Sequence, residues 1–385
     1  MDILKIPTQE FDKLRTPFYY YDTKLLAETL SVIRESTRKD ETYEVHYAIK
    51  ANANKRLLQQ IAAAGLGADC VSGGEIEAAL AAGFPAAAIV FAGVGKSDWE
   101  IRLGIETGIG CFNVESIPEL NVINALAAEY GKVVKVAFRI NPNVDAHTHE
   151  KITTGLNENK FGIAMEYMLP AIRMAEGMPN VEYVGLHFHI GSQILDYSVY
   201  KALCLRINEL QELLEAEGVV TKSINVGGGL GIDYVSPDTH PIPDFAAYFD
   251  IFRRNLQLRA GQQLHFELGR SIVAQCGSLV SRVLYVKEGH TKKFLIVDAG
   301  FTELIRPAMY GSVHTINNLT TTEGETMYDV VGPICESSDV FAKDTLLPES
   351  KRGDYIAFRS AGAYGEAMAS GYNCRKLCDS YYSAD

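Results

Sequence analysis

The sequence predicts an α/β barrel of the eight-stranded (β/α)8, TIM-like type, joined to an all-β domain. Short apolar runs alternate with longer helical patterns from about residue 45 to about residue 270. Eight such units over about 230 residues match the usual size of this barrel. Beyond about residue 272 the runs are β-rich, separated by turns, and show little helical pattern. A doubly wound open sheet is the alternative for the first part, because periodicity alone does not exclude it.

The elements of the barrel follow one another in regular order. The predicted strands are VHYAIK (45–50), ADCVS (68–72), AIVFAG (88–93), CFNVE (111–115), VVKVAFRI (133–140), YVGLHFHI (183–190), SINVGGG (223–229) and QLHFEL (263–268). Ala, Leu and Glu at helical spacing predict helices over residues 54–64, 75–82, 117–130 and 197–217. The later runs SIVAQCGSLVSRVLYVKE, KKFLIVDAG, MYDVVGPIC and DYIAFRSAG predict the strands of the β-domain.

Composition excludes several classes of protein. The 385 residues carry a formal net charge of −12, and nucleic acids and anionic membranes attract clustered Lys and Arg instead. The first residues lack the apolar segment of a secretory signal. The seven cysteines are scattered and odd in number, which is typical of reduced thiols. We therefore expect a cytoplasmic protein that binds neither nucleic acid nor membrane, and no metal site.

Two features could bind a phosphorylated aldehyde. Lys50 ends the first predicted barrel strand, where such barrels place their active sites, so it is a candidate for a Schiff base. A lysine that only reaches solvent is the alternative. Gly227, Gly228 and Gly229 follow the seventh strand, where backbone N–H groups can approach a phosphate. A tight turn is the alternative there, and the loop lacks both a P-loop lysine and dinucleotide spacing.

Two histidines end the sixth predicted strand. Alternation along a strand places His187 and His189 on the same inner face. They could bind a metal, pack against a flat cofactor, or be core residues whose polar atoms are satisfied. Ser192, which follows Gly191, offers a hydroxyl donor to a phosphate and favours the cofactor.

A carboxylate ends the eighth strand. Glu267 is followed by Gly269 and Arg270, and an interior carboxylate needs a partner or a proton. It could keep a pyridine nitrogen protonated, or form an ordinary ion pair with Arg270. The lysine, glycines, histidine and glutamate together indicate pyridoxal phosphate.

An ordered set of motifs extends this interpretation over nearly the whole chain. The motifs are YAIKAN, RINPNVD, TGLNENKFGI, HFHIGSQ, GGGLG, ELGRS, CESSDVFAKD and AGAYG. With them the chain resembles the fold-type III pyridoxal-phosphate decarboxylases, most of all the diaminopimelate decarboxylase family. Leu268 stands where that family usually has proline, which affects only the local turn.

The resemblance implies a domain division and an assembly. Residues 28–272 would form the cofactor-binding barrel, and residues 1–27 with 273–385 would form the β-domain. The family also implies a homodimer whose active sites are shared between subunits.

The resemblance further implies roles for individual residues. Lys50 would carry the cofactor, Asp69 would lie close to it, and His189 would stack on its ring. The remaining cofactor-binding residues implied are Ser192, Gly227, Gly228, Gly229, Glu267, Gly269, Arg270 and Tyr364. Cys335, as the general acid, and Glu336 would come from the partner subunit.

The implied reaction converts meso-2,6-diaminopimelate to L-lysine and CO2, the last step of lysine biosynthesis. Arg270, Arg306 and Tyr310 could hold the distal carboxylate of this amino-acid substrate, because a guanidinium fork suits a carboxylate; Tyr364 completes the implied substrate contacts. Glu336 could take the ammonium group. The alternative is a decarboxylase of ornithine, arginine or carboxynorspermidine, none of which explains two such arginines.

Two other classes compete with a decarboxylase. A non-catalytic cofactor carrier would resemble a lone barrel, which the β-domain and CESSD argue against. A metal-dependent barrel hydrolase could use His187 and His189, and borohydride trapping of a cofactor on Lys50 would eliminate it.

Overall fold

The computed structural model describes residues 11–144 and 160–383, and the chain forms two compact units. The larger unit comprises Leu30–Gly231 and Asp244–Gly269. The smaller unit comprises the chain up to Thr29, Ile232–Pro243 and the chain from Arg270 onward. Parts of the motifs RINPNVD and TGLNENKFGI, with His147 and His149 between them, lie outside the described residues.

Eight parallel strands of the larger unit close into a barrel, which confirms the predicted fold class. Strand β1 (Phe18–Tyr21) belongs to the smaller unit. The barrel strands are β2 (Tyr43–Ala48), β3 (Gly67–Cys70), β4 (Ile89–Phe91), β5 (Cys111–Val114), β6 (Val134–Arg139), β7 (Val181–His187), β8 (Ser223–Asn225) and β9 (Gln263–Leu268). They pair in chain order, and β9 closes on β2.

Helices connect the barrel strands. They span Thr23–Thr37, Lys55–Ala63, Gly73–Ala82, Asp98–Thr107, Ile117–Glu129, Met168–Glu176, Ser198–Ala216 and Phe245–Asn255. Local sequence starts several of them: Ser72 accepts a hydrogen bond from the Glu75 backbone and Ser116 from that of Glu119, as N-cap residues do. A left-handed Gly83 ends the helix Gly73–Ala82.

Some strand ends differ from the sequence prediction. Strand β9 spans 263–268 as predicted, but β2 ends at Ala48, so Lys50 lies in a following 3-10 turn, Ile49–Ala51. Strand β7 ends at His187, so His189 lies in the loop beyond it. The prediction that both histidines sit on one face of one strand is therefore wrong.

The smaller unit contains an eight-stranded sheet. Six strands run in the order β12-β15-β10-β11-β13-β14, while β1 pairs with β10 and β16. Their bounds are β10 Gly277–Glu288, β11 Lys293–Val297, β12 Ile316–Asn318, β13 Thr326–Val331, β14 Val340–Leu347, β15 Tyr355–Phe358 and β16 Asp379–Tyr382. Two short helices, Arg270–Val273 and Arg306–Tyr310, accompany the sheet.

Residues 11–21 pack against this sheet. Phe11, Phe18 and Tyr20 form a buried cluster with Val280 and Tyr355. Phe11 makes edge-on contacts with the other aromatic rings at centroid distances of 5.1–6.0 Å. Burial of these rings joins the two ends of the chain into one core.

The segment Ile232–Pro243 groups with the smaller unit. The sequence analysis expects it within the barrel domain 28–272, and that domain division stays a prediction. Arg270 donates to the hydroxyl of Tyr234 at 2.6 Å, and Arg359 pairs with Asp238 at 2.8 Å. These charged and polar contacts attach the segment to the smaller unit.

Within the described residues, no helix has both the length and the apolar character needed to cross a membrane. All seven cysteines lie in the described ranges, and all are free thiols.

Candidate active site

Glu267 is the centre of a buried polar network inside the barrel. At the end of β9, its Oε1 accepts hydrogen bonds from the amides of Asn113 (3.1 Å) and Asn225 (2.8 Å). Its Oε2 accepts one from Nε2 of His187 at 2.9 Å. A carboxylate offers about four acceptor positions. Three are therefore used within the chain, and one remains for a ligand N–H.

The network keeps this carboxyl group ionised. Burial by itself would raise the pKa of Glu267, but the charge and hydrogen bond of His187 and the charge of Lys50 outweigh it. The net effect holds the pKa of Glu267 well below its usual range. The site thus presents a fixed negative charge in the barrel interior at neutral pH.

Lys50 and Asp69 stand at the carboxyl ends of neighbouring strands. Ala48 pairs with Asp69, and the turn after Ala48 brings Nζ of Lys50 to 3.9 Å from Oδ2 of Asp69. The Lys50 side chain is 40% exposed, whereas that of Asp69 is 1% exposed. The Lys50 side chain is therefore accessible to a ligand, whereas the Asp69 carboxylate beside it is buried.

Asp69 is poorly compensated for its burial. Its Oδ1 is buried without a hydrogen-bond partner among the described residues. Burial, and then the negative charge of Glu267, raise the pKa of Asp69 well above its usual range, although Lys50 opposes them. A buried oxygen of this kind is a position for a ligand group.

The glycine loop lies against the end of β9. Gly227 and Gly229 have left-handed φ angles of +69° and +106°. A Cβ at Gly228 would lie 1.9 Å from the backbone oxygen of Glu267, and one at Gly227 would lie 2.3 Å from that of Phe188. Glycine is therefore required here by the close approach of backbone from β9 and from the residue that follows β7.

The loop also fixes His189. The backbone N–H of Gly228 donates to Nδ1 of His189 at 3.3 Å, so the proton of the neutral ring is on Nε2. Burial, followed by the charges of Lys50 and Arg139, lowers the pKa of His189 well below its usual range. His189 therefore stays neutral. Ser192 is half-buried in the loop that follows.

Gly269 and Leu268 complete the end of β9. A Cβ at Gly269 would lie 3.1 Å from Cβ of Ala51 and 3.2 Å from Cβ of Ala48, so glycine allows the Lys50 turn to pack closely. Leu268 is fully buried, and its backbone is paired with that of Tyr47 on the neighbouring strand β2. Leucine thus continues the ladder to the strand end.

Sequence reasoning missed the residues that hold Glu267. Asn113 and Asn225 lie in β5 and β8, and both are buried. An amide inside a short apolar strand is unusual, and that was the available signal. The sequence analysis considered His187 as a metal ligand, a cofactor contact or a core residue. In the structure its Nε2 is hydrogen-bonded to Glu267, and its Nδ1 is buried without a partner among the described residues.

A second ion pair supports the neighbouring strand ends. Arg139 of β6 contacts Glu115 at 3.1 Å, and both side chains are buried. Glu115 also accepts hydrogen bonds from the backbones of Gly93 (2.9 Å) and Gly162 (3.0 Å). Because the two buried charges compensate each other within the chain, this pair has a structural role that its sequence position did not indicate.

In the smaller unit, buried arginines and tyrosines form a separate cluster. The Arg270 guanidinium lies 4.9 Å from the centre of the Tyr364 ring, and that of Arg306 lies 5.3 Å from the same ring. Arg306 also lies 5.0 Å from the Tyr310 ring. The structure thus brings together the four residues that were predicted to bind substrate on this side.

Arg306 has few polar partners among the described residues. It is 6% exposed, its Nε is buried without a partner, and its hydrogen bond to Ser312 is long at 3.4 Å. Burial and the charge of Arg270 lower the pKa of Arg306. Two buried guanidinium groups side by side form a site for an anion.

Cys335 and Glu336 are exposed residues of the smaller unit. The Cys335 N–H donates to Asn373 Oδ1 at 3.1 Å, and the Tyr372 hydroxyl donates to Glu336 at 2.8 Å. Their exposure leaves both side chains accessible to another molecule.

The barrel residues fit pyridoxal phosphate. A reachable lysine, a side-chain-free loop, a neutral histidine and an ionised glutamate supply the contacts that its aldehyde, phosphate, ring and nitrogen need. Among the described residues, Glu267 has an acceptor position left and Oδ1 of Asp69 has no partner, and the fit rests on these two observations.

Comparison with known proteins agrees with the site. Residues 27–274 match the family model of the pyridoxal-dependent decarboxylase pyridoxal-binding domain. The chain is 62% identical to a diaminopimelate decarboxylase of Bacteroides thetaiotaomicron over 98% of each chain. It is 43% identical to that of Neisseria meningitidis, over 94% of this chain and 86% of the relative.

A solved structure extends the comparison to the fold. The crystal structure of diaminopimelate decarboxylase from Helicobacter pylori complexed with L-lysine superposes with a TM-score of 0.91 at 40% identity. The superposition covers 97% of this chain and 93% of the other. This chain therefore belongs to the diaminopimelate decarboxylase family of pyridoxal-dependent decarboxylases.

Proposed function

We propose that this protein decarboxylates meso-2,6-diaminopimelate to L-lysine and CO2 with pyridoxal 5'-phosphate as its cofactor. The observation that carries the reaction is 62% identity over 98% of both chains with a diaminopimelate decarboxylase. The buried Arg306 supports the substrate class independently, because a buried guanidinium is stabilised by a bound anion such as a carboxylate.

The barrel residues would hold the cofactor. Lys50 would bind it covalently through Nζ, and the N–H groups of Gly227–Gly229, with Ser192, would bind its phosphate. His189, neutral and anchored by Gly228, would contact the ring. When bound, pyridoxal phosphate supplies an electron sink for the electron pair that CO2 leaves behind.

Glu267 controls the proton that this chemistry needs. Its remaining acceptor position would receive the N–H of the pyridine ring, and the ionised carboxylate would favour a protonated ring nitrogen. Asn113, Asn225 and His187 prevent the carboxylate from turning away. Asp69, buried and incompletely hydrogen-bonded, would face the cofactor from the neighbouring strand.

The arginine cluster would select the substrate. Arg306 and Arg270 would bind the distal carboxylate, while Tyr310 and Tyr364 line the guanidinium faces and keep both arginines desolvated. A substrate without that carboxylate leaves buried charge unpaired, which can discriminate by about 10⁴ or more. Ornithine and arginine are such substrates.

Cys335 and Glu336 would act on the substrate from the partner subunit. The Cys335 thiol would donate the proton that replaces CO2 at Cα, and Glu336 would bind the distal ammonium group. Both side chains are exposed in the single chain, as a shared site requires. We therefore propose a homodimer with active sites shared between subunits, and a cytoplasmic location, consistent with seven free thiols.

A CO2-release assay tests the proposal. Purified protein is assayed on meso-diaminopimelate and on ornithine, each with and without added pyridoxal phosphate. We expect cofactor-dependent release from meso-diaminopimelate and far slower release from ornithine. Preferred turnover of ornithine would transfer the assignment to the alternative diamino-acid decarboxylases, and no turnover of either would refute it.

A further inference from the structure

A second cluster of potential ligands lies at the other end of the barrel strands. Glu44 and His46 alternate along β2, and His265 lies on β9, two residues before Glu267. The two strands pair in parallel, with Glu44 opposite His265 and His46 opposite Glu267. The cluster therefore spans the seam at which the first and last barrel strands meet, toward their amino ends.

The intervening residues show which way these side chains point. Phe266 packs against Tyr43 at 5.2 Å and against Phe249 of an outer helix at 4.9 Å. The alternate residues of β9 and β2, His265 and His46 among them, therefore face the barrel interior.

Hydrogen bonding prepares His46 as a ligand. Its Nδ1 lies 3.1 Å from the backbone oxygen of Ala88, and because a carbonyl only accepts, Nδ1 carries the proton. Its Nε2 then presents a lone pair toward Nδ1 of His265, 2.9 Å away. A histidine whose second nitrogen donates to a backbone carbonyl is the usual arrangement around a protein-bound metal.

Gly67 makes room for this hydrogen bond. A Cβ at position 67 would lie 2.4 Å from Nδ1 of His46 and 2.5 Å from the oxygen of Ala88. Any side chain there would separate the two atoms. The position of the His46 ring is therefore fixed by three strands of the barrel.

The donor atoms have the spacing of a coordination site. Nε2 of His46 and Nδ1 of His265 are 2.9 Å apart, Oε2 of Glu44 is 3.6 Å from that Nδ1, and all three atoms lie within 4.8 Å of one another. Tetrahedral zinc with bonds of about 2.0–2.1 Å separates its ligand atoms by about 3.3 Å. Shifts of a few tenths of an ångström bring the separations of Nδ1 of His265 from the other two donors to that value. The third separation, between Glu44 and His46, is at most 4.8 Å, and rotation of the half-exposed Glu44 side chain would have to shorten it.

We propose that Glu44, His46 and His265 bind a divalent transition-metal ion of the zinc type, which joins β2 to β9. Two imidazoles and one carboxylate suit such ions and not magnesium or calcium, which prefer oxygen ligands. The ion takes the place of the proton between the two rings, and that proton moves to Nε2 of His265. Glu44 is 44% exposed, so water can fill the fourth position.

Binding of zinc and cobalt to the chelator-treated holoenzyme tests this proposal. By calorimetry we expect one zinc ion per chain, and with cobalt the visible absorption of a tetrahedral complex. His265→Gln should weaken zinc binding by at least about 100-fold, because loss of even an outer-shell partner costs about 10–100-fold. His290→Gln, at an exposed histidine of the smaller unit, is the matched control and should bind as the wild type does.

Thermal unfolding gives a second readout. Zinc at a hundred times its Kd should raise the unfolding temperature of the wild type and of His290→Gln by about 3–6 °C, and magnesium should not. Should His265→Gln fail to fold, the more exposed Glu44→Gln replaces it, with weaker binding and an altered cobalt spectrum expected. A wild type that binds neither metal, or a ligand variant with wild-type affinity, would overturn the proposal.

Discussion

Replacing Arg306 with methionine separates substrate recognition from fold stability. Arg306 is buried between the rings of Tyr310 and Tyr364, and its Nε lacks a partner in the described structure. Methionine keeps much of the apolar volume and removes the charge. If Arg306 binds the distal carboxylate, the variant loses recognition of diaminopimelate without losing a contact on which the fold depends.

The size of the effect follows from burial. Removing one partner of a buried, hydrogen-bonded charge pair costs about 2–5 kcal/mol. At about 1.4 kcal/mol per decade, kcat/KM for meso-diaminopimelate should fall by roughly 30- to 5,000-fold. Because burial and the charge of Arg270 lower the pKa of Arg306, folding disfavours its charged form. The unfolding temperature of Arg306→Met should therefore equal or exceed that of the wild type.

The assay compares two substrates and a matched variant. Steady-state CO2 release is measured on meso-diaminopimelate and on ornithine, which lacks the distal carboxylate, and only the first rate should fall. Arg352→Met is the control, because Arg352 also lies over a tyrosine ring, Tyr285, at 4.9 Å, but is exposed. Arg306→Lys, which keeps the charge and loses the fork, should be intermediate.

Two results would refute the reasoning. If Arg306→Met keeps kcat/KM for meso-diaminopimelate within threefold of the wild type, Arg306 does not bind the distal carboxylate. If its unfolding temperature falls far below that of Arg352→Met, the guanidinium is a structural element and any loss of activity follows from the damaged fold.

Three further predictions concern single residues of each unit. Lys50→Ala should lose turnover by more than about 10³-fold and retain no cofactor after borohydride treatment, with an unchanged circular dichroism spectrum; wild-type turnover would exclude Lys50 as the cofactor lysine. Gly228→Ala places Cβ 1.9 Å from the oxygen of Glu267 and should lower cofactor retention and the unfolding temperature, whereas Gly74→Ala, whose nearest atom is at 3.9 Å, should change neither; identical behaviour of the two would contradict the need for glycine. Burial, with the charges of nearby arginines, lowers the pKa of His314 from 6.5 to about 4, so between these pH values the unfolded chain binds more protons than the folded one. The free energy of unfolding should thus fall by up to about 3 kcal/mol as pH drops from 6.5 to 4, and His314→Gln should remove this part in urea titrations at several pH values; an unchanged pH dependence would disprove it.

The sequence was sufficient to predict the elements whose signal is local. Strand β9 was predicted with its correct bounds because QLHFEL alternates between the outer helices and the barrel interior. The bounds of β2 and β7 were extended too far, since apolar residues continue into the turns after Ala48 and His187. Those turns carry Lys50 and His189. The apolar residues beside them are as buried as strand residues, so the sequence pattern does not mark the strand end.

The rest depended on contacts between distant segments. No local pattern shows that Asn113 and Asn225, 112 positions apart in the sequence, reach the same carboxylate oxygen. Nor does the sequence show that Ile232–Pro243 leaves the barrel unit, because the contacts of Tyr234 and Asp238 are with residues near 270 and 359. Barrel closure in one unit and long-range packing within the other decide these partners.

Buried charged residues in the described chain are of two kinds: those with partners in the chain, which support the fold, and those that keep a polar atom without one, which mark a ligand site. The Arg139–Glu115 pair and the Glu267 network have partners for their charges within the chain, and stabilise the strand ends. Asp69 and Arg306 are equally buried, yet each keeps a polar atom without a partner among the described residues. Such burial costs stability unless a bound group repays it. We therefore expect cofactor and substrate to raise the unfolding temperature of this protein more than contacts at its exposed surfaces do.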